Sequence, residues 1–244
     1  MRPPRRGLLA FPLLLLPAQT PAQGTPAAPG PRYSVSWWDA AAVGTAGALY
    51  LLPGALGLPK GAPSCAPCDP ATLPAIDRGS VHAVRSGPEF ASNLVLVAVA
   101  GWTAFAGLAG LPAEEWRGNV VTYAEAASWT AASTVWVQAL VRRKRPVLYT
   151  SGAAEAASDP ESQQSFPSTH AALAFAAATS YLVIARREHL PHAGRNAALL
   201  YAGGVLVSVL RVAAAEHFPT DVMAGAALGS GVGWLVPTLH ATLP

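Results

Sequence analysis

Three polar residues recur at fixed intervals in an otherwise apolar stretch, "RVAAAEHFPTDVMAGAALG" at residues 211–229: Arg211, His217 and Asp221. An imidazole can act as a nucleophile on phosphorus. A carboxylate four residues further along can fix its tautomer and steady the positive charge that develops. Two other stretches carry matching chemistry. In "SFPSTH", residues 165–170, Ser168 is placed to cap a helix whose first backbone N–H groups form an anion site, with His170 in the first turn as a proton donor. In "VRRKRP", residues 141–146, Arg145 offers a planar fork that matches phosphate oxygens, as does Arg211. Singly, each feature has an ordinary explanation: an interfacial arginine, a helix cap, a solvated histidine, a surface i, i+4 pair. Together they supply a nucleophile, an acid and a charge clamp, which suffice for phosphoryl transfer without a metal.

These groups meet only if several helix ends converge. Apolar stretches run over approximately 39–58, 90–111, 119–141, 170–185, 196–215 and 221–240. They are rich in Ala, Leu, Gly and Val, lack strand-like alternation and are mostly long enough for membrane helices. The composition agrees: 52% of residues are hydrophobic, only 12% are charged and the mean hydropathy is +0.32, whereas about a quarter of a soluble domain is charged. The third stretch carries Glu125, Thr130, Thr134 and Gln138, so one of its faces must point into a protein interior. The expected fold is therefore all-α, a membrane-embedded bundle of five to six apolar helices. The short basic joint "RREHLPHAGR", residues 186–195, should face the cytoplasm. The joints at 142–169 and 216–220 then lie on the outer face, and all three polar stretches fall on that side.

The first residues, "MRPPRRGLLAFPLLLLPAQTPAQG", read as a secretory signal peptide over 1–23 with cleavage near Ala22. Losing Arg2, Arg5 and Arg6 would bring the 16 basic residues level with the 13 acidic ones, which removes the main support for nucleic-acid binding. Cleavage would also leave residue 24 outside, whereas the inferred topology starts the 39–58 helix inside. That segment, which contains Pro53, is accordingly expected to lie along or partly within the bilayer. Residues 24–89 form an N-terminal segment with this helix and a long Pro/Gly-rich loop holding both cysteines, Cys65 and Cys68. Such a pair can be a redox couple, half a metal site or a local disulfide; in an exported chain the disulfide is favoured.

The three stretches resemble the signature of the type 2 phosphatidic acid phosphatases, which share a helical fold with bacterial class A acid phosphatases and vanadium haloperoxidases. That pattern runs K-x6-R-P, P-S-G-H, then S-R-x5-H-x3-D. Arg145-Pro146, Pro167-Ser168-Thr169-His170, and Arg211 with His217 and Asp221 fit its frame, and the resemblance covers about residues 90–240. It implies that His217 forms a phosphohistidine supported by Asp221, that His170 protonates the leaving group and then activates water, and that Arg145, Arg211, Ser168 and Thr169 hold the phosphoryl oxygens. It implies no metal and no cofactor. The substrate would be a phospholipid or polyprenyl phosphate or pyrophosphate, drawn from membrane lipid at the outer face of a bacterial-type inner membrane. Three positions depart from the pattern: Gln138 stands for the lysine, Thr169 for the glycine and Leu210 for the serine. Gln138 can donate a hydrogen bond but brings no charge, unless Arg142 or Lys144 replaces it. A soluble periplasmic acid phosphatase of the same fold, a vanadate-dependent haloperoxidase and a degenerate, non-catalytic membrane protein are the alternatives.

Overall fold

Alanine and glycine dominate the helices at the middle of the molecule, and their small size sets how closely those helices approach. The computed structural model describes residues 32–109 and 111–241; the expected signal peptide, residues 1–23, lies outside them. Among these residues eight α-helices follow in chain order: α1 (Trp37–Ala55), α2 (Ala75–Arg78), α3 (Ser86–Leu108), α4 (Ala113–Val141), α5 (Ala153–Ala156), α6 (Thr169–Arg187), α7 (Ala193–Ala213) and α8 (Pro219–Leu239). Single 3-10 turns occur at Pro70–Thr72, Pro146–Tyr149 and Pro160–Gln163. Among the described residues there is no strand, only an isolated bridge between Tyr33 and Ala241. The fold is all-α, as expected.

Helix α6 is the hub, packed against α8, α7, α4 and α3. Its contact with α8 is backbone against backbone. Gly225, Gly229 and Gly233 recur every fourth residue, and a Cβ added to them would lie 2.4, 1.9 and 2.5 Å from the carbonyl oxygens of Ser168, Ala172 and Ala176. Small residues in such a stripe let helices cohere where lipid tails are as apolar as side chains. The contact also brings the start of α8 beside the start of α6, where Ser168 N–H donates to the Asp221 carbonyl at 3.0 Å.

Helices α3, α7 and α8 are, among the described residues, the three long and apolar enough to cross a membrane. They present large exposed apolar side chains, including Phe90, Leu94, Phe105, Val209, Met223 and Trp234, more than a water-facing monomer tolerates. Helix α4 instead buries Thr122, Glu125, Thr130, Thr134 and Gln138, in keeping with the polar interior face expected of it.

Helix α1 is not among the three helices long and apolar enough to cross a membrane. It runs beside α4 in the same direction, with Tyr33 against Gly118, Asp39 near Glu125, and Trp136 Nε1 donating to the Leu49 carbonyl at 2.9 Å. The missing side chain of Gly118 and the indole donor hold the two helices together. Helices α4 and α7 end, and α6 and α8 begin, at one end of the bundle, so all three polar stretches gather there. The basic 186–195 joint is at the other end. The long loop before α3 folds over the gathered end, where Cys68 N–H donates to the Leu148 carbonyl at 2.8 Å and Cys65 is joined to Cys68 in a disulfide.

Candidate active site

His217 sits in the short joint between α7 and α8 and is buried. Its Nδ1 lies 2.8 Å from the Ser165 carbonyl oxygen and 3.8 Å from Asp221 Oδ2. A carbonyl oxygen only accepts, so Nδ1 carries the hydrogen and Nε2 is left with its lone pair. The tautomer is thus set by the Ser165 backbone, not by the carboxylate four residues on. Asp221 is fully buried and accepts from Phe218 N–H at 2.8 Å, Ser165 Oγ at 2.6 Å and Arg143 Nη1 at 2.5 Å. It organises the loop that carries the Ser165 carbonyl.

Arg143 is the residue that sequence reasoning passed over. Its guanidinium joins Asp221 to Asp77, whose Oδ2 is 2.7 Å from Arg143 Nη2, and lies 4.6 Å over the Phe218 ring. Asp77 also accepts from Thr220 Oγ1 at 2.8 Å. The run "VRRKRP" therefore divides its labour: Arg142 donates to Gln163, Arg143 braces two buried carboxylates, and Arg145 turns toward His217's neighbour, Glu216. An isolated sequence shows four consecutive cations, and only the fold distinguishes them.

Arg145 and Arg211 converge on one atom. Glu216 Oε2 lies 2.5 Å from Arg145 Nη1 and 3.2 Å from Arg211 Nη2, while Arg145 Nη2 reaches Glu161 at 3.3 Å. Glu216 and Arg211 are both buried, and the Nε atoms of Arg145 and Arg211 are buried without a hydrogen-bond partner. The two guanidinium groups come from the loop after α4 and the last turn of α7. Glu216, missed in the sequence, could have been noticed as an acid directly before His217.

The start of α6 supplies the third side. Ser168 caps the helix, accepting weakly from Ala171 N–H at 3.5 Å. Gln138 spends its amide hydrogens on the Pro167 carbonyl at 2.8 Å and Thr169 Oγ1 at 3.1 Å. It ties α4 to the cap, and Thr169 answers it. The two departures from the family pattern are thus one hydrogen-bonded pair. His170 Nε2 is 2.8 Å from Asn93 Oδ1, which draws α3 into the site. Burial pushes the His170 ring well below the ordinary imidazole pKa, helped by Arg211, His217 and Arg145, all near enough to act on it. Burial likewise lowers the His217 pKa, outweighing the pull of Asp221 in the other direction.

Beneath His170 and Asn93, an apolar cavity of about 460 Å³ runs between α3, α4 and α6, from Leu96 and Leu173 to Leu108 and Val120.

The bundle is all-helical, carries three helices long and apolar enough to cross a membrane, and gathers two histidines, two arginines and a helix start at one end. The family comparison is specific: the model of the PAP2 superfamily matches residues 118–243, and the chain belongs to that superfamily. Membership points to phosphatase-type activity and to a phosphoric-ester hydrolase as the enzyme class. No curated protein and no solved structure matches the chain.

Proposed function

We propose that this protein hydrolyses a lipid phosphate or pyrophosphate monoester through a phosphohistidine intermediate. The observation that carries the reading is the convergence of Arg145 and Arg211 on a single oxygen, with two buried Nε–H donors unmet, beside a histidine whose Nε2 is free. Buried donors without partners are rare in folded proteins. A phosphoryl group that takes the place of the Glu216 carboxylate satisfies both arginines, and the α6 start adds backbone N–H groups with Ser168 and Thr169 at its cap.

In the first step His217 Nε2 attacks phosphorus, the P–N bond forms as the bond to the leaving oxygen breaks, and His170 gives that oxygen a proton. His217 keeps its Nδ1 hydrogen, so the phosphorylated ring is cationic; the Ser165 carbonyl and Asp221 offset that charge. In the second step His170 takes a proton from water, the oxygen attacks phosphorus and the P–N bond breaks. The depressed pKa of His170 fits this cycle. Burial is the larger cause of that depression; the arriving phosphate offsets the field of Arg211 and Arg145 and adds a negative charge that favours the protonated ring. This chemistry calls on no metal and no cofactor.

A lipid substrate is supported by the apolar cavity that starts one turn below His170 and by the apolar surface of α3, α7 and α8. A tail remains among the helices while the head group meets the arginines. The same surface disfavours the soluble acid phosphatase. The basic 186–195 joint at the opposite end favours a site on the outer face of a bacterial-type inner membrane. Purified protein in mixed micelles should release phosphate from phosphatidate, phosphatidylglycerol phosphate or polyprenyl pyrophosphate, and His217→Ala should not. Equal release by both proteins would refute the mechanism. Release only from a water-soluble ester would refute the lipid assignment.

A further inference from the structure

At the end of the bundle remote from His217, three side chains from three helices meet: Asp39 in the first turn of α1, Glu125 in α4, and His240 at the C-cap of α8. Helix α8 has 21 residues, so the cluster lies roughly 30 Å along the bundle from the phosphate site. His240 Nε2 is 2.7 Å from Glu125 Oε2 and 3.3 Å from Asp39 Oδ1. Both acids are buried, and the His240 imidazole faces each of them.

The hydrogen-bonding pattern shows which atoms face inward. His240 Nδ1 lies 2.9 Å from the Val236 carbonyl, so it must donate there, and Nε2 is turned toward the acids. A backbone carbonyl on the far nitrogen is the usual support of a metal-bound histidine. Asp39 Oδ2 is engaged by the Ser36 backbone N–H and by its hydroxyl at 2.9 Å, which leaves Oδ1 for the cluster. Glu125 Oε1 is buried with no hydrogen-bond partner at all. Two buried carboxylates face one imidazole, so at least one negative charge stays uncompensated in a buried place unless a cation or a proton answers it.

We propose that Asp39, Glu125 and His240 form a binding site for a divalent transition-metal ion of the zinc class, which pins α1 to α4 and α8. One imidazole nitrogen and two carboxylate oxygens are a donor set for zinc rather than for calcium or magnesium, and water completes four-coordination. Bonds of about 2.0–2.1 Å in tetrahedral geometry separate neighbouring ligand atoms by about 3.4 Å. Asp39 Oδ1 already stands at 3.3 Å from Nε2, and the Glu125 contact must open from 2.7 Å. His240 terminates its helix and its side chain is 27% exposed, so it can give way. The exposed edge also provides entry. The ion takes no part in phosphoryl transfer; its role is to hold α1.

The test uses tag-free, oxidised full-length protein in detergent micelles, stripped with chelator and titrated with ZnCl2. Elemental analysis should find one zinc per chain after desalting, and the thermal midpoint should rise by about 5–10 °C at a hundredfold excess over Kd. Glu125→Gln, which keeps the shape of the side chain, and His240→Asn should both lose the zinc and the shift. Should His240→Asn fail to fold, Glu125→Gln alone decides. Absence of stoichiometric zinc and of a thermal shift in the wild type overturns the proposal, as does zinc binding that both folded variants retain.

Discussion

Glu216 provides the sharpest test of the phosphate site, because its two possible roles predict opposite signs. Its Oε2 holds Arg145 at 2.5 Å and Arg211 at 3.2 Å. If that atom occupies the place of a phosphoryl oxygen, a substrate must push it aside, and the displaced carboxylate remains close by. At a separation of roughly 5 Å and an effective dielectric constant of about 20, each unit of phosphate charge meets a repulsion of about 3 kcal/mol. Movement of the side chain and entering water reduce this, so Glu216→Gln should gain about 1–3 kcal/mol in anion binding, a factor of roughly 5 to 150. The amide is isosteric and still offers an oxygen to the guanidinium groups. The assay is equilibrium binding of orthovanadate, a phosphate mimic, to detergent-solubilised protein, with KM for phosphatidate alongside. Arg211→Ala serves as the control that should lose binding. Vanadate binding that is weaker in a folded Glu216→Gln protein would show that the carboxylate holds the arginines in place, and the competition argument would fall.

Three further outcomes follow from the same geometry. Arg143→Gln leaves Asp221 and Asp77 buried without their cation and should cost about 3–5 kcal/mol of stability, read as a large fall in thermal midpoint together with loss of phosphate release; an unchanged midpoint would count against the brace. Both His170 and His217 have depressed pKa values, so above the ordinary imidazole pKa of about 6.5 folded and unfolded chains are alike. Below it the unfolded chain takes protons that the folded one refuses, and stability should fall as pH drops, with a shallower slope in His170→Asn. Gly229→Val forces α6 and α8 apart at a point where even a Cβ would lie 1.9 Å from the Ala172 carbonyl oxygen. It should cost about 1–3 kcal/mol or more and reduce turnover, since that contact aligns the start of α6 with His217; circular dichroism melts and phosphate release check it.

Much of this molecule was legible because hydrophobicity and local order are properties of the chain itself. Long apolar stretches without alternation must hide their backbone polar groups in helices, so the all-helical class followed directly. The frame of Arg145, Ser168 with His170, and Arg211 with His217 and Asp221 was legible too, because each motif is a short run at a helix end. What the sequence could not decide was which group answers which. His217 takes its tautomer from the Ser165 carbonyl, a backbone atom that no side-chain pattern marks. Four adjacent cations at 142–145 differ only in what lies opposite each, and Asp77, which helps select Arg143, is brought from α2, 66 residues earlier. Gln138 and Thr169 read as two separate losses until α4 and α6 place them 3.1 Å apart as partners. Glu216 stands directly before His217, but its part as a ligand shows only once Arg145, 71 residues earlier, is brought to it beside Arg211. Helix and chemistry type are short-range consequences of composition and spacing. Partner choice is a long-range consequence of how closely α6 and α8 pack, which rests on three glycines at 225, 229 and 233.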